Sequence, residues 1–236
     1  MFLKKALFTA GLAAAATDSV TFGITLDGHT PLCLKYQPPN EAFDFDDSFL
    51  VPLIYEDRSS LSLFANIQMD ETEENLSVNQ VLFYSPSGHV FDLSLEDPKI
   101  PEGGVERKDG KFDFDGLIAD LNEKRNLYIF KTETGMMTRV QHFGEDGYHV
   151  QISLDKLDDK VRGLFGNFHA GTTYKVQSKG KHGKVHQNGE SAVVTIRNED
   201  SSEEFSAVYD DNKACWMIED SHSDILMPAS EANLML

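Results

Sequence analysis

The sequence predicts an all-β fold: an antiparallel, β-sandwich-like arrangement of two packed sheets with one short helix. Three observations carry this expectation. Short runs in which apolar and polar residues alternate recur along the whole chain, the period of a strand with one buried face. Clusters of Gly, Pro, Asn, Asp and Ser separate these runs, as turns do. Helical periodicity is almost absent, and many short strands with tight turns pack as two sheets.

Taken in order, the chain opens with a positive pair, Lys4 and Lys5, an apolar run over residues 6–12, and four small residues, Ala13 to Ala16. This is the pattern of a signal peptide over residues 1–16. It predicts a secreted, extracellular protein whose mature chain begins near Thr17. The run is too short to span a bilayer, and no later run of 18 apolar residues predicts a membrane span. Residues 20–26 and 32–36 alternate cleanly around Asp27-Gly28 and predict a hairpin. Residues 49–55 form a buried-looking run in which Pro52 marks an edge or a bulge. Residues 61–67 alternate, residues 70–75 form an acidic loop, and residues 80–84 and 90–95 flank the turn Ser85-Pro86-Ser87-Gly88.

Residues 98–104, rich in Pro and Gly, read as a linker or long loop. They divide an N-terminal β-rich region (17–100) from a second one (101–220), with a tail over 221–236. Residues 105–107 and 111–114 make a tight hairpin about Asp109-Gly110. Residues 116–124 are the expected helix, with Leu117, Ile118 and Leu121 sharing a face. Residues 127–131, 137–143 and 148–154 form a meander. Strands follow at 174–176, 192–196 and 205–209, and residues 214–218 are compact and apolar.

Within Tyr148 to Leu154, Tyr148, Val150, Ile152 and Leu154 alternate with polar residues. Then comes Val161-Arg162-Gly163-Leu164-Phe165-Gly166-Asn167-Phe168-His169-Ala170-Gly171. This stretch resembles the centre of the von Willebrand factor type D domain. That family's signature after an alternating strand is Val-Cys-Gly-Leu-Cys-Gly-Asn-Tyr/Phe-Asn-Gly. Gly163, Leu164, Gly166, Asn167 and Phe168 match. Arg162 and Phe165 replace the two signature cysteines, and one residue is inserted before Gly171. The family also ends on a Phe-containing strand, a Trp and a nearby Cys, with which Phe205, Trp216 and Cys215 are compatible. The resemblance implies a β-rich extracellular domain serving assembly, adhesion or matrix interaction. It also implies calcium held by an Asn and acidic residues after the glycine motif. Asn167 stands at that Asn, but residues 172–175 carry no carboxylate.

Read from its own residues, the glycine motif is structural. It offers large apolar groups and backbone freedom but no acid or base, so Leu164 or Phe165 should be buried against the 148–154 strand.

Composition bounds the chemistry. The chain has 236 residues, 40% apolar, with 16 Phe and a net charge of −18. That is enough for one large or two small cored domains. Such acidity excludes non-specific nucleic-acid binding, which needs a dense basic surface, and attracts cations and basic proteins. The two cysteines, Cys33 and Cys215, either form one bridge closing nearly the whole mature chain or remain buried thiols. Asn75-Leu76-Ser77 is a glycosylation sequon. Asp44 with Asp46, and Asp113 with Asp115, place carboxylates two apart, on one face of a strand, where they could bind calcium; a solvated acidic edge that discourages sheet-to-sheet pairing is the first explanation for them. His182 and His186 have a metal spacing only on a helix.

No hydrolase, phosphate-loop or dinucleotide motif is present. The leading functional expectation is therefore a secreted, non-enzymatic β-rich protein with an extracellular protein or matrix partner. The alternative is a secreted carrier of a small apolar ligand or lipid, its Phe residues lining a cavity. A third reading is a secreted oxidative enzyme, since the type D family includes ostracod luciferases.

Overall fold

The computed structural model describes residues 20–26, 31–36, 49–56, 62–69, 76–85, 87–95, 97–122, 125, 127–133, 135–143, 147–154, 161–165, 172–178, 186–197 and 201–218. Among them seventeen strands form two sheets, the all-β two-sheet fold expected. In chain order the strands are β1 (Val20–Leu26), β2 (Leu32–Tyr36), β3 (Phe49–Glu56), β4 (Ser62–Met69), β5 (Leu76–Tyr84) and β6 (Val90–Ser94). Then come β7 (Val105–Glu106), β8 (Phe112–Phe114), β9 (Leu117–Asn122), β10 (Leu127–Lys131), β11 (Met136–His142) and β12 (Tyr148–Leu154). The last are β13 (Val161–Arg162), β14 (Thr173–Ser178), β15 (Ser191–Arg197), β16 (Ser202–Asp210) and β17 (Cys215–Ile218). No helix among the described residues is long and apolar enough to cross a membrane.

The large sheet has twelve strands in the order β14-β15-β16-β17-β2-β1-β12-β11-β10-β9-β8-β7. The small sheet has five, β13-β3-β4-β5-β6. The ladders within the large sheet's blocks are antiparallel. The two joints between blocks are parallel, a feature the antiparallel expectation did not include. Phe22 lies opposite Val150 where β1 meets β12, and Trp216 opposite Leu32 where β17 meets β2. The β1–β2 hairpin is thus inserted between two meanders, and no local turn dictates strand direction at those joints.

Of the helix expected over 116–124, the described residues 116–122 instead contain β9. Leu117 and Ala119 are buried on one side of the strand while Ile118 is only half-buried. The chain enters β9 through a tight turn at Asp115, φ +51°, and pairing with both β8 and β10 overrides the weak helical spacing. The expected β-rich regions 17–100 and 101–220 interleave within the large sheet. β1 and β2 lie in the middle of the sheet built by the later region, and one buried cluster unites both sheets.

Aromatic rings fill the space between the sheets. Phe83 of β5 stacks on Phe130 of β10 at 4.9 Å, Phe91 of β6 meets Phe130 edge-on at 4.8 Å, and Phe91 meets Phe114 of β8 at 4.9 Å. Each fully buried ring contributes roughly 1.5–3 kcal/mol of transfer free energy. The Tyr148 hydroxyl donates to the Ser94 carbonyl at 3.1 Å, tying β12 to β6. Burial, with the nearby Tyr128 and Asp92, raises the Tyr148 hydroxyl to about pKa 12. Val78 also bridges to Gly147. A Cβ at Gly147 would stand 2.6 Å from the Val78 carbonyl oxygen, so this contact requires glycine.

The glycine motif closes the edge of β3, and its ring packs on β1, the neighbour of the β12 strand against which it was expected. Leu164 N–H donates to Pro52 O at 2.9 Å and Phe165 N–H to Leu53 O at 3.0 Å. Here β3 carries a bulge between Pro52 and Ile54, the irregularity Pro52 announces. Gly163 has φ +98°, and a Cβ there would lie 2.8 Å from Leu53 O. Phe165 is fully buried, and its ring meets Phe22 of β1 edge-on at 6.2 Å. Leu164 is half-buried against the same core. The motif therefore spans the two sheets, with its backbone on the small one and its aromatic ring against the large one. Gly166 and Asn167 lie outside the described residues.

Candidate interaction face

The small sheet has two unlike faces. Its inner rows are apolar and buried: Val51–Ala65–Val81–Leu93, and Ile54–Leu63–Phe83–Phe91. Its outer rows read Leu50–Asn66–Gln80–Ser94, Pro52–Phe64–Leu82–Asp92, and Arg162–Tyr55–Ser62–Tyr84–Val90. Leu50, Tyr84 and Val90 are 37%, 36% and 40% exposed. With half-buried Pro52, Phe64 and Leu82 they form one apolar patch, in which the Phe64 and Tyr84 rings meet edge-on at 5.9 Å. Beside it runs a polar ladder. Asn66 Nδ2 donates to Gln80 Oε1 at 3.3 Å, and Gln80 Nε2 donates to Asp92 Oδ1 at 2.7 Å. A central row on the outer face of the large sheet is mostly polar, running Asp120–Ile129–Arg139–Gln151–Gly23. Gln151 there bonds the Thr25 hydroxyl at 3.4 Å. This face is the candidate contact surface of the molecule, the place where apolar side chains reach the outside of a sheet together. Sequence reading missed it, because alternation identifies one buried face and says nothing of a second apolar one. The only signal was the unbroken apolar run over residues 49–55.

The carboxylates expected to hold calcium divide. Asp113 lies on β8, where Oδ1 accepts the Gly116 N–H at 2.9 Å and Oδ2 lies 3.9 Å from Arg107. Asp115 falls beyond the strand, in the turn, so the two do not share a strand face. Asp44, Asp46 and Asn167 lie outside the described residues, as does Asn75. Among the described residues no three His, Cys, Asp or Glu side chains gather as metal ligands would. Around Asp113 an open groove of about 440 Å³ is lined by Arg107, Lys111 and Lys131 and by Asp109, Asp113 and Glu133. Arg107 and Lys111 each lie 3.7 Å from Asp109. These exposed pairs are worth little, and they leave the groove's charges largely answered from within.

Cys33 and Cys215 form a disulfide with Cα atoms 5.7 Å apart, the bridged one of the two expected states. It joins β2 to β17 at the joint where only two residue pairs are in register. Beside it Trp216 is fully buried. His186 packs on Trp216 at 4.9 Å and on Tyr209 at 5.1 Å, and its Nδ1 lies 3.3 Å from Glu190 Oε2. Burial pushes the Glu190 carboxyl up, but hydrogen bonds from Gln187 N–H, His186 and Ser178 outweigh it and hold it below its usual value. His186 is thus an aromatic-packed, carboxylate-bonded histidine; His182 lies outside the described residues.

One perturbed group escaped the sequence altogether. His149 alternates outward on β12, yet is only 7% exposed. Its Nδ1 lies 3.3 Å from the Thr21 carbonyl, Phe143 packs on its ring, and Nε2 is buried without a partner. Burial, then the nearby Lys213, push it down to about pKa 4. Tyr148 and His149, adjacent in sequence, face opposite sides of the sheet, so these perturbed groups do not converge on one pocket.

Comparison with known proteins returned no match to a family model, a curated protein or a solved structure.

Proposed function

We propose that this protein is a secreted, non-enzymatic β-rich module of extracellular interaction, adhesion or assembly, a divergent relative of type D domains. The observation that carries the reading is the apolar outer face of the small sheet, set over an interior already filled with aromatic rings. The phenylalanines that a carrier would arrange around a ligand pack on one another instead, which weighs against the apolar-carrier alternative. The dispersal of perturbed acid–base groups weighs against the luciferase-type reading. The Cys33–Cys215 disulfide suits an oxidising compartment and so supports secretion.

The reading is tested by binding of the purified chain to extracellular-matrix and cell surfaces on a biosensor. Saturable binding is expected, and the double variant Phe64→Ser/Leu82→Ser should abolish it with little change in melting temperature. Binding unaffected by that variant would overturn the reading. Native mass spectrometry that finds a stoichiometric lipid in the chain would establish the carrier in its place.

A further inference from the structure

We propose that Asn188 is a gated modification site: the closed corner around it holds back deamidation, and opening of that corner lets the reaction proceed. Asn188-Gly189 is the one Asn-Gly pair in the chain. It lies in the turn just before β15, and both residues are exposed. Glu190 N–H donates to the Gln187 carbonyl at 2.9 Å. Gly189 has φ +79°, while Asn188 keeps a negative φ, so residues 187–190 make a type II turn.

The reaction consumes only water. The Gly189 nitrogen attacks Cγ of Asn188 and forms the N–Cγ bond of a cyclic imide. The Cγ–Nδ2 bond breaks, and ammonia leaves with the proton of Gly189. Water then opens the imide at either carbonyl, giving aspartate or isoaspartate, with no change of oxidation state. Glycine favours the attack because it puts no side chain beside its own nitrogen, and no atom lies within 4 Å of where a Gly189 Cβ would stand.

Two features of the fold oppose it. Gly189 N–H donates to the Tyr209 carbonyl at 2.9 Å, so the nitrogen that must give up its proton holds it in a hydrogen bond. The turn gives Asn188 a ψ of about +120°, which sets that nitrogen beside the Asn188 Hα and away from the side chain it must reach. Both features last only while the corner stays closed. Tyr209 N–H donates back to the Glu190 carbonyl at 2.8 Å. Glu190 Oε2 accepts the Gln187 N–H at 3.3 Å and lies 3.3 Å from His186 Nδ1. His186 in turn packs on Tyr209 and Trp216. Deamidation in the folded chain therefore runs at the unfolded rate multiplied by the fraction of time the corner is open.

The change is one-way. Isoaspartate routes the backbone through its side-chain carbons and lengthens it, so Gln187 and Glu190 no longer close the turn. Either product also places a new carboxylate two residues from Glu190. Asn188 thus records each opening of the corner where Tyr209 pairs with Trp216, next to Cys215.

The test incubates the purified full chain at mildly alkaline pH, native and in denaturant, and follows Asn188 by peptide mapping with mass spectrometry. Isoaspartate should form at Asn188 in denaturant, and at least about tenfold more slowly in the native chain. Glu190→Ala removes the acceptor of the Gln187 N–H and should speed the native reaction about threefold or more, leaving the rate in denaturant unchanged. His186→Ala is the second variant, and circular dichroism checks that each remains folded. Equal rates in the native and denatured parent chain overturn the gate. Absence of isoaspartate at Asn188 in denaturant overturns the site itself. Folded variants that deamidate no faster than the parent show that Glu190 and His186 do not hold the corner, and overturn the gate as drawn.

Discussion

Phe165 and Gly163 show how much one short motif decides. Phe165 is fully buried against Phe22, so Phe165→Ala should cost about 3–5 kcal/mol, read as a shift in denaturant midpoint. Gly163→Ala introduces a Cβ at φ +98° only 2.8 Å from a backbone oxygen. It should destabilise by about 1–3 kcal/mol, although it removes no contact. His149 makes a different prediction. Its folded pKa, about 4, lies below its ordinary 6.5, so between those values the unfolded chain binds more protons. Its contribution is complete above pH 6.5 and is lost as pH falls toward 4, a loss of about 3 kcal/mol. Denaturant midpoints at pH 7.5 and pH 4.5 should therefore differ less in His149→Leu than in the native chain. An equal difference in both would show that His149 has no such role. The burial of Phe165 was legible in the sequence from its apolar neighbours. That of His149 was not, because its position on β12 alternates outward and only the folded surroundings cover it.

Among the elements, the joint between β17 and β2 depends most on one feature. Its ladder holds two residue pairs, with the Trp216 N–H donating to the Pro31 carbonyl at 2.9 Å. The disulfide across it closes a separation of 182 residues, worth about 5 kcal/mol in the chain-entropy account. In the variant Cys33→Ala/Cys215→Ala, amide exchange should rise first in β15 to β17, before the β9–β12 meander. Uniform acceleration over the whole sheet would mean that the joint is not a separate unit. The hairpins were legible because each carries its own turn chemistry within a few residues. β9 was misread as a helix because Leu117, Ile118 and Leu121 fit that period, and pairing with strands on both sides settled it otherwise.

For the molecule as a whole, β1 decides whether the large sheet can form. Val20, Phe22, Ile24 and Leu26 are all buried, and β1 is flanked by β2 and β12. A chain beginning at Thr17 keeps all of β1 and should melt like the full-length chain, whereas one beginning at Asp27 should lose cooperative unfolding. Calorimetry of both truncations checks this. A cooperative transition in the shorter chain would show that the two meanders can associate without the hairpin between them. Pairing so distant in sequence also predicts slow folding, in the millisecond-to-second range of non-local β topologies.

By itself the sequence determined what local chemistry determines. Period-two alternation set the strands and their buried sides, Gly and Asp set the turns, and the net charge of −18 is that of a chain without the dense basic surface that non-specific nucleic-acid binding needs. Only the tertiary structure decided the parallel joints, the mixing of early and late strands in one sheet, the cover over His149 and the apolar outer face of β3 to β6. Each of these depends on which distant segments come together. Backbone pairing is nearly indifferent to sequence, and selection among possible neighbours falls to burial and packing across the whole fold.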